Sequence, residues 1–109
     1  MNIQIFGKNK CFDTKKAERY FKERGIKFQS VDIFDKGLSK GELNSIIAAV
    51  GLGGLVSEKA EEYHLFIHLT PEAQPEKLLE CPKLYKTPIV RNGKQATVGY
   101  KPEVWKNWE

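Results

Sequence analysis

Sulfur and imidazole are scarce in this chain: two cysteines, one methionine and two histidines among 109 residues. Two cysteines, Cys11 and Cys81, are too few to staple a small secreted domain, so both thiols are expected reduced, as in cytoplasm. His64 and His68 stand four apart, a spacing that lets two imidazoles share one helix face. No carboxylate or third ligand accompanies them at suitable spacing, so two surface histidines are expected, not a metal site. No apolar run approaches the roughly 20 residues of a membrane span, and no signal-peptide core opens the chain. The glycines from Gly51 to Gly54 lack the Gly-Lys-Ser/Thr that completes a phosphate loop. Repeats, low-complexity tracts and linkers are missing too.

What is present suits one small folded unit spanning residues 1–109. Apolar residues make up 40% of the chain and charged ones 29%, enough for a single core. The net charge of +4 is spread along the chain and mixed with acids. A solvated surface is expected rather than a basic stripe, and direct DNA binding is not.

Ile3-Gln4-Ile5-Phe6, bounded by Gly7, predicts a buried strand. A basic loop, Gly7-Lys8-Asn9-Lys10, leads to Cys11, and Asp13 or Thr14 is expected to cap the helix that follows. Ala17, Tyr20 and Phe21 form its inner face, and Gly25 stands where a left-handed cap ends it. Ile26 to Ile33 predicts a second strand. Strand, helix and strand in this order demand a right-handed crossover and parallel pairing.

Ser39-Lys40-Gly41-Glu42 is a capping box for a helix carrying Leu43, Ile46, Ile47 and Val50. A loop is expected over Gly51–Gly54, then a short helix capped by Ser57 and running through Tyr63 and His64. Thr70-Pro71 and Gln74-Pro75 predict helix starts before an end near Glu80. Asn92-Gly93, between Ile89–Arg91 and Lys94–Val98, predicts a hairpin with positive φ at both turn residues. Pro102 to Trp108 predicts a closing helix with Val104, Trp105 and Trp108 on one face. The tryptophans are expected to pack that helix on the sheet, not to stack bases.

Chemistry concentrates at Cys11, between a strand and a helix N-terminus. Unpaired N–H groups there carry partial positive charge and favour thiolate over thiol. Lys8, Lys10, Lys15 and Lys16 add favourable potential, and Asp13 opposes them. Such a thiolate is a usable nucleophile.

Lys8-Asn9-Lys10-Cys11-Phe12-Asp13-Thr14-Lys15-Lys16-Ala17 resembles the segment of the ArsC/Spx family in which a cysteine opens the first helix. Lys86-Thr87-Pro88-Ile89-Val90, followed by Val98-Gly99-Tyr100-Lys101, resembles that family's Pro-Ile-Val strand and the turn before its last helix. The resemblance implies an α/β, thioredoxin-like (glutaredoxin-like) mixed sheet: β-α-β, a helical insertion over about 38–81, then β-β-α. It implies a cis Thr87-Pro88 bond beside Cys11, where the Thr87 backbone pairs with a thiol partner. It implies a monothiol oxidoreductase similar to arsenate reductase. Cys11 is then the nucleophile, Lys8, Thr14, Lys15, Thr87, Pro88 and Lys101 bind substrate or anion, and no cofactor is bound.

Glutathione, or a glutaredoxin or thioredoxin, is the implied reductant. Thr87 and Lys101 stand at two positions where the family carries oxyanion-binding arginines, and Lys59 is nearest the third. The planar guanidinium clamp is therefore missing, which argues against efficient arsenate reduction. The Spx branch implies the alternative, a non-catalytic regulatory module on RNA polymerase. Thr14 stands where that branch has its second cysteine, so no local dithiol switch forms. Cys81 is expected to be a free, partly exposed cysteine. The protein is expected to be a cytoplasmic monomer.

Overall fold

Residues 1–108 are described by a computed structural model of the chain; Glu109, the last residue of the expected 1–109 unit, lies outside them. Two apolar faces of one sheet organise the chain. In β1 (Ile3–Gly7), Ile3 and Ile5 face one side and Phe6 the other, the alternation of a strand buried on both faces. β1 pairs in parallel with β2 (Phe28–Asp32) and antiparallel with β3 (Ile89–Asn92), which pairs antiparallel with β4 (Gln95–Val98). The sheet order is β2-β1-β3-β4. α1 (Phe12–Glu23) makes the crossover between β1 and β2. Its inner residues Ala17, Tyr20 and Phe21 join Ile3, Ile5, Val90 and Trp105 in one core. Phe6, Ile33, Leu43, Ile46, Leu55, Leu78 and Ile89 belong to the larger core on the other face.

Local chemistry explains the element ends. Gly25 (φ 70°) lets the Ile26 N–H reach the Phe21 carbonyl at 2.9 Å while its own N–H reaches Lys22 at 3.1 Å. That pair of bonds is a Schellman motif, and it delays β2 to Phe28. Before α2 (Lys40–Val50), Ser39 Oγ accepts from Glu42 N at 3.1 Å and Glu42 Oε1 accepts from Ser39 N at 2.9 Å, so the capping box forms as expected.

Several expectations are corrected. Gly51–Gly54 is not a loop: α3 (Leu52–Leu55) forms one turn there, because Leu55 is wholly buried and Leu52 packs on the larger core. Ser57 caps a turn, accepting from Lys59 N at 3.3 Å, and α4 (Tyr63–Phe66) begins later. His68 falls beyond α4, so the two exposed histidines do not share a helix. α5 (Ala73–Glu80) starts after the Thr70-Pro71 turn and takes Pro75 into its first turn. In the hairpin Asn92 pairs with Gln95, which leaves Gly93-Lys94 as the loop. Gly93 (φ 60°) alone takes positive φ, as a turn with glycine first requires. α6 (Pro102–Trp105) passes into a 3₁₀ turn over Lys106–Trp108, with Trp105 buried and Val104 exposed. No helix among the described residues is long and apolar enough to cross a membrane.

Candidate active site

The turn from β1 into α1 sets the sulfur. Cys11 N donates to Lys8 O at 3.1 Å, closing the turn, and Cys11 itself is the N-cap of α1 in extended backbone (φ −91°, ψ 115°). Neither Asp13 nor Thr14 caps this helix; both lie inside its first turn. With no side-chain oxygen taking up the first N–H groups, their partial positive charge is left facing the sulfur.

Gly7 allows α1 to sit this close to the sheet. A Cβ built on it would lie 2.7 Å from Thr14 Oγ1 and 3.0 Å from Thr14 Cβ, with Thr14 Cγ2 closer still. Gly7→Ala must therefore displace the first turn of α1. We expect it to destabilise the fold by about 1–3 kcal/mol, the usual cost of overpacking, read from the denaturation midpoint. An unchanged midpoint would show that the turn gives way freely.

Thr87 approaches the sulfur from the far end of the sequence. Its hydroxyl donates to Cys11 Sγ at 3.2 Å, and its carbonyl accepts from the thiol at 3.6 Å. The Thr87-Pro88 bond is cis, and Pro88 is buried. The segment before it is pinned to the end of α3: Lys86 N donates to Leu55 O and Ser57 N to Leu84 O, both at 2.7 Å. The turn at α3 thus fixes where Thr87 meets Cys11.

Burial alone would push the Cys11 thiol up. Hydrogen bonds from the hydroxyls of Thr14 and Thr87, and from the N–H groups of Thr14 and Asp13, outweigh it and hold the pKa below the ordinary value. Thr14 Oγ1 is buried and makes no hydrogen bond to any other group among the described residues. Ionised sulfur is the acceptor that satisfies it. Lys8 is tethered, its Nζ donating to Tyr85 O at 2.9 Å. Burial lowers the Lys8 ammonium pKa, and the Cys11 thiolate pulls it back up.

Cys11, Thr14, Lys8, Thr87 and Pro88 are therefore gathered at one place. Among the described residues neither Lys15 nor Lys101 donates a side-chain hydrogen bond to the sulfur, although Lys15 N donates to Cys11 O at 3.3 Å. Lys15 is exposed and lines a cavity of about 160 Å³ that borders the Cys11 site, sharing Lys8, Asn9 and Asp32 with it. Lys101 is exposed at the start of α6. Lys59 is exposed in the turn after Ser57. Cys81 is free and half-buried, ending α5 against the larger core. Three contributors escape sequence reasoning: Gly7, the Tyr85 carbonyl and Phe34. Phe34 lines a groove of about 400 Å³ that holds Cys11, together with Lys8, Asn9, Lys10 and Asp32. A glycine between strand and cysteine was the one available signal.

Comparison with known proteins gives a consistent set of likenesses. The sequence pattern of the ArsC family matches residues 6–108. The chain is 30% identical over 106 residues to the global transcriptional regulator Spx 2 of Oceanobacillus iheyensis, covering 92% of this chain and 78% of that one. It superposes on an arsenate reductase from Vibrio cholerae with a TM-score of 0.84 at 24% identity, over 98% and 97% of the two chains. The glutaredoxin-like protein NrdH-redoxin from Escherichia coli matches with a TM-score of 0.55 at 16% identity, over 100% and 96%. The last two likenesses establish a thioredoxin-like fold.

Proposed function

We propose that this chain, which belongs to the ArsC family, is a monothiol oxidoreductase with Cys11 as nucleophile. The observation that carries the reading is the Cys11 sulfur at the N-cap of α1, with the Thr87 hydroxyl donating to it at 3.2 Å and the thiol pKa held down. In the cycle, the Cys11 thiolate attacks one sulfur of a disulfide. The S–S bond breaks, the departing thiolate keeps the electron pair, and Cys11 retains the other half as a mixed disulfide. A glutathione thiolate, or a cysteine of a glutaredoxin or thioredoxin, then attacks the sulfur bound to Cys11. That second exchange releases Cys11 as thiolate and oxidises the reductant.

Each neighbour has a part in this. Thr14 and Thr87 donate to the sulfur whenever it carries charge, as attacking and as leaving group. Lys8 places an ammonium beside it, and the Thr87 backbone, set by Pro88, faces the incoming thiol. Lys15 and Lys101 supply charge at greater distance for an anionic partner. Reduction of arsenate itself is expected to be weak, because Thr87 and Lys101 present no bidentate donor to a tetrahedral oxyanion.

The test is incubation with oxidised glutathione. One glutathionyl group is expected on Cys11, with the thiolate absorbance titrating below about 8.5, the free-cysteine value. No adduct, with titration at or above that value, would overturn the assignment. Thr87→Val should move the pH–rate profile to higher pH and slow exchange at neutral pH about fivefold, the worth of one hydrogen bond of about 1 kcal/mol. An unmoved profile would remove Thr87 from the account.

A second reading rests on the 30% identity to the Oceanobacillus regulator: a regulatory module that docks on RNA polymerase. Polymerase subunits retained by both the native protein and a Cys11→Ser variant would favour it over the enzyme.

A further inference from the structure

One wall of the Cys11 groove has no use in the exchange step just described. Phe34 follows β2 with 54% of its surface exposed, and it lines the same groove as Cys11. The turn that carries it is closed: Asp32 Oδ1 accepts from Phe34 N at 2.8 Å, and Asp32 O accepts from Asp35 N and Lys36 N at 3.1 and 3.0 Å. Its ring lies 5.8 Å from Lys8 Nζ. Half in water, the ring offers an apolar face in the groove that a flat apolar ligand would cover.

The charges around the groove select among such ligands. Lys8 and Lys10 line it against one carboxylate, Asp32, which already accepts the Phe34 N–H. Lys8 Nζ is tied to Tyr85 O, whereas Lys10 is exposed and makes no ion pair among the described residues. A ligand carboxylate therefore finds its complement at Lys10. A groove of about 400 Å³ lies in the range that holds a small molecule.

We propose that the groove beside Phe34 is a subsite for a small aromatic thiol bearing a carboxylate, the leaving half of the disulfide that Cys11 attacks. The inference rests on the exchange reading above. The Cys11 thiolate attacks the sulfur distal to the aromatic half, and the S–S bond breaks. The aromatic thiolate leaves with the electron pair, reduced, while the other half stays on Cys11 until glutathione displaces it. Phe34 covers the ring and Lys10 meets its carboxylate.

The test compares rate constants for 5,5′-dithiobis(2-nitrobenzoate), a carboxylated aromatic disulfide, and for 2-hydroxyethyl disulfide. Each is divided by the rate constant of free glutathione with the same disulfide, which removes intrinsic leaving-group reactivity. The native protein is expected to show a corrected aromatic preference of about tenfold, the worth of one partly covered ring. Phe34→Ala is expected to erase that preference and Phe34→Leu to keep part of it. Lys10→Gln should lower it for the carboxylated probe and not for uncharged 4,4′-dithiodipyridine. A corrected ratio near one in the native protein, or one unmoved by Phe34→Ala, overturns the subsite and leaves the exchange reading standing. If 2-hydroxyethyl disulfide gives no adduct on Cys11, the exchange reading fails and the subsite with it.

Discussion

Cys11→Ser is expected to abolish disulfide exchange, lowering the rate of mixed-disulfide formation by at least about a thousandfold. The reason is chemical rather than structural. A serine hydroxyl is scarcely ionised at neutral pH, and its oxygen cannot hold the other half as a disulfide. The surroundings tolerate the change, since Cys11 is only half-buried at the N-cap of α1, a position that serine suits. Thr87 Oγ1 still finds an acceptor at that position, so the denaturation midpoint should stay within about 0.5 kcal/mol of the native value. The matching control is Cys81→Ser. Cys81 ends α5 against the larger core, and no hydrogen bond joins it to the site among the described residues. Its replacement should leave exchange within about twofold. Exchange that survives in Cys11→Ser, or is lost in Cys81→Ser, would move the nucleophile elsewhere.

How far this site is legible in the sequence depends on the range of each interaction. β1, the inner face of α1 and the Ser39 capping box follow from residues a few positions apart, where periodicity and cap chemistry act. The position of Cys11 before a helix is equally local. Its part as the N-cap is less so, because Asp13 and Thr14 are better caps by type and are carried into the first turn. Thr87 stands 76 residues from Cys11, and nothing in the spacing brings them together. Only the family resemblance did that. Lys8 finds a backbone carbonyl, an acceptor with no residue signature. α3 was hidden by three glycines, although the burial of Leu52 and Leu55 in tertiary packing decided its conformation. Phe34 reads in the sequence as one more apolar residue after a strand. Its exposure, which is what matters, is a property of the fold.

Trp105→Ala is expected to cost about 3–5 kcal/mol, the range for deleting a large buried aromatic ring. α6 spans only Pro102–Trp105, far too short to be stable by itself, so it stays on the sheet through what it buries. Trp105 is wholly buried, with its ring centroid 5.2 Å from Tyr20, 5.1 Å from Phe21 and 5.6 Å from Tyr100. Its Nε1 donates to Thr97 Oγ1 at 2.8 Å, a bond between two buried groups. Alanine would open a cavity against α1 and orphan the Thr97 hydroxyl, whose unpaired burial alone costs about 1–3 kcal/mol. The two contributions separate in a double-mutant cycle. Trp105→Phe keeps most of the volume and loses the bond; adding Thr97→Val removes the orphaned hydroxyl and should recover about 1 kcal/mol. The same loss should reach the chemistry, because Tyr20 and Phe21 hold the inner face of the helix whose first turn presents Cys11. Chemical denaturation followed by a second probe than tryptophan fluorescence measures the stability term. A midpoint unchanged in Trp105→Ala would mean that this ring does not fasten the end of the chain to the sheet.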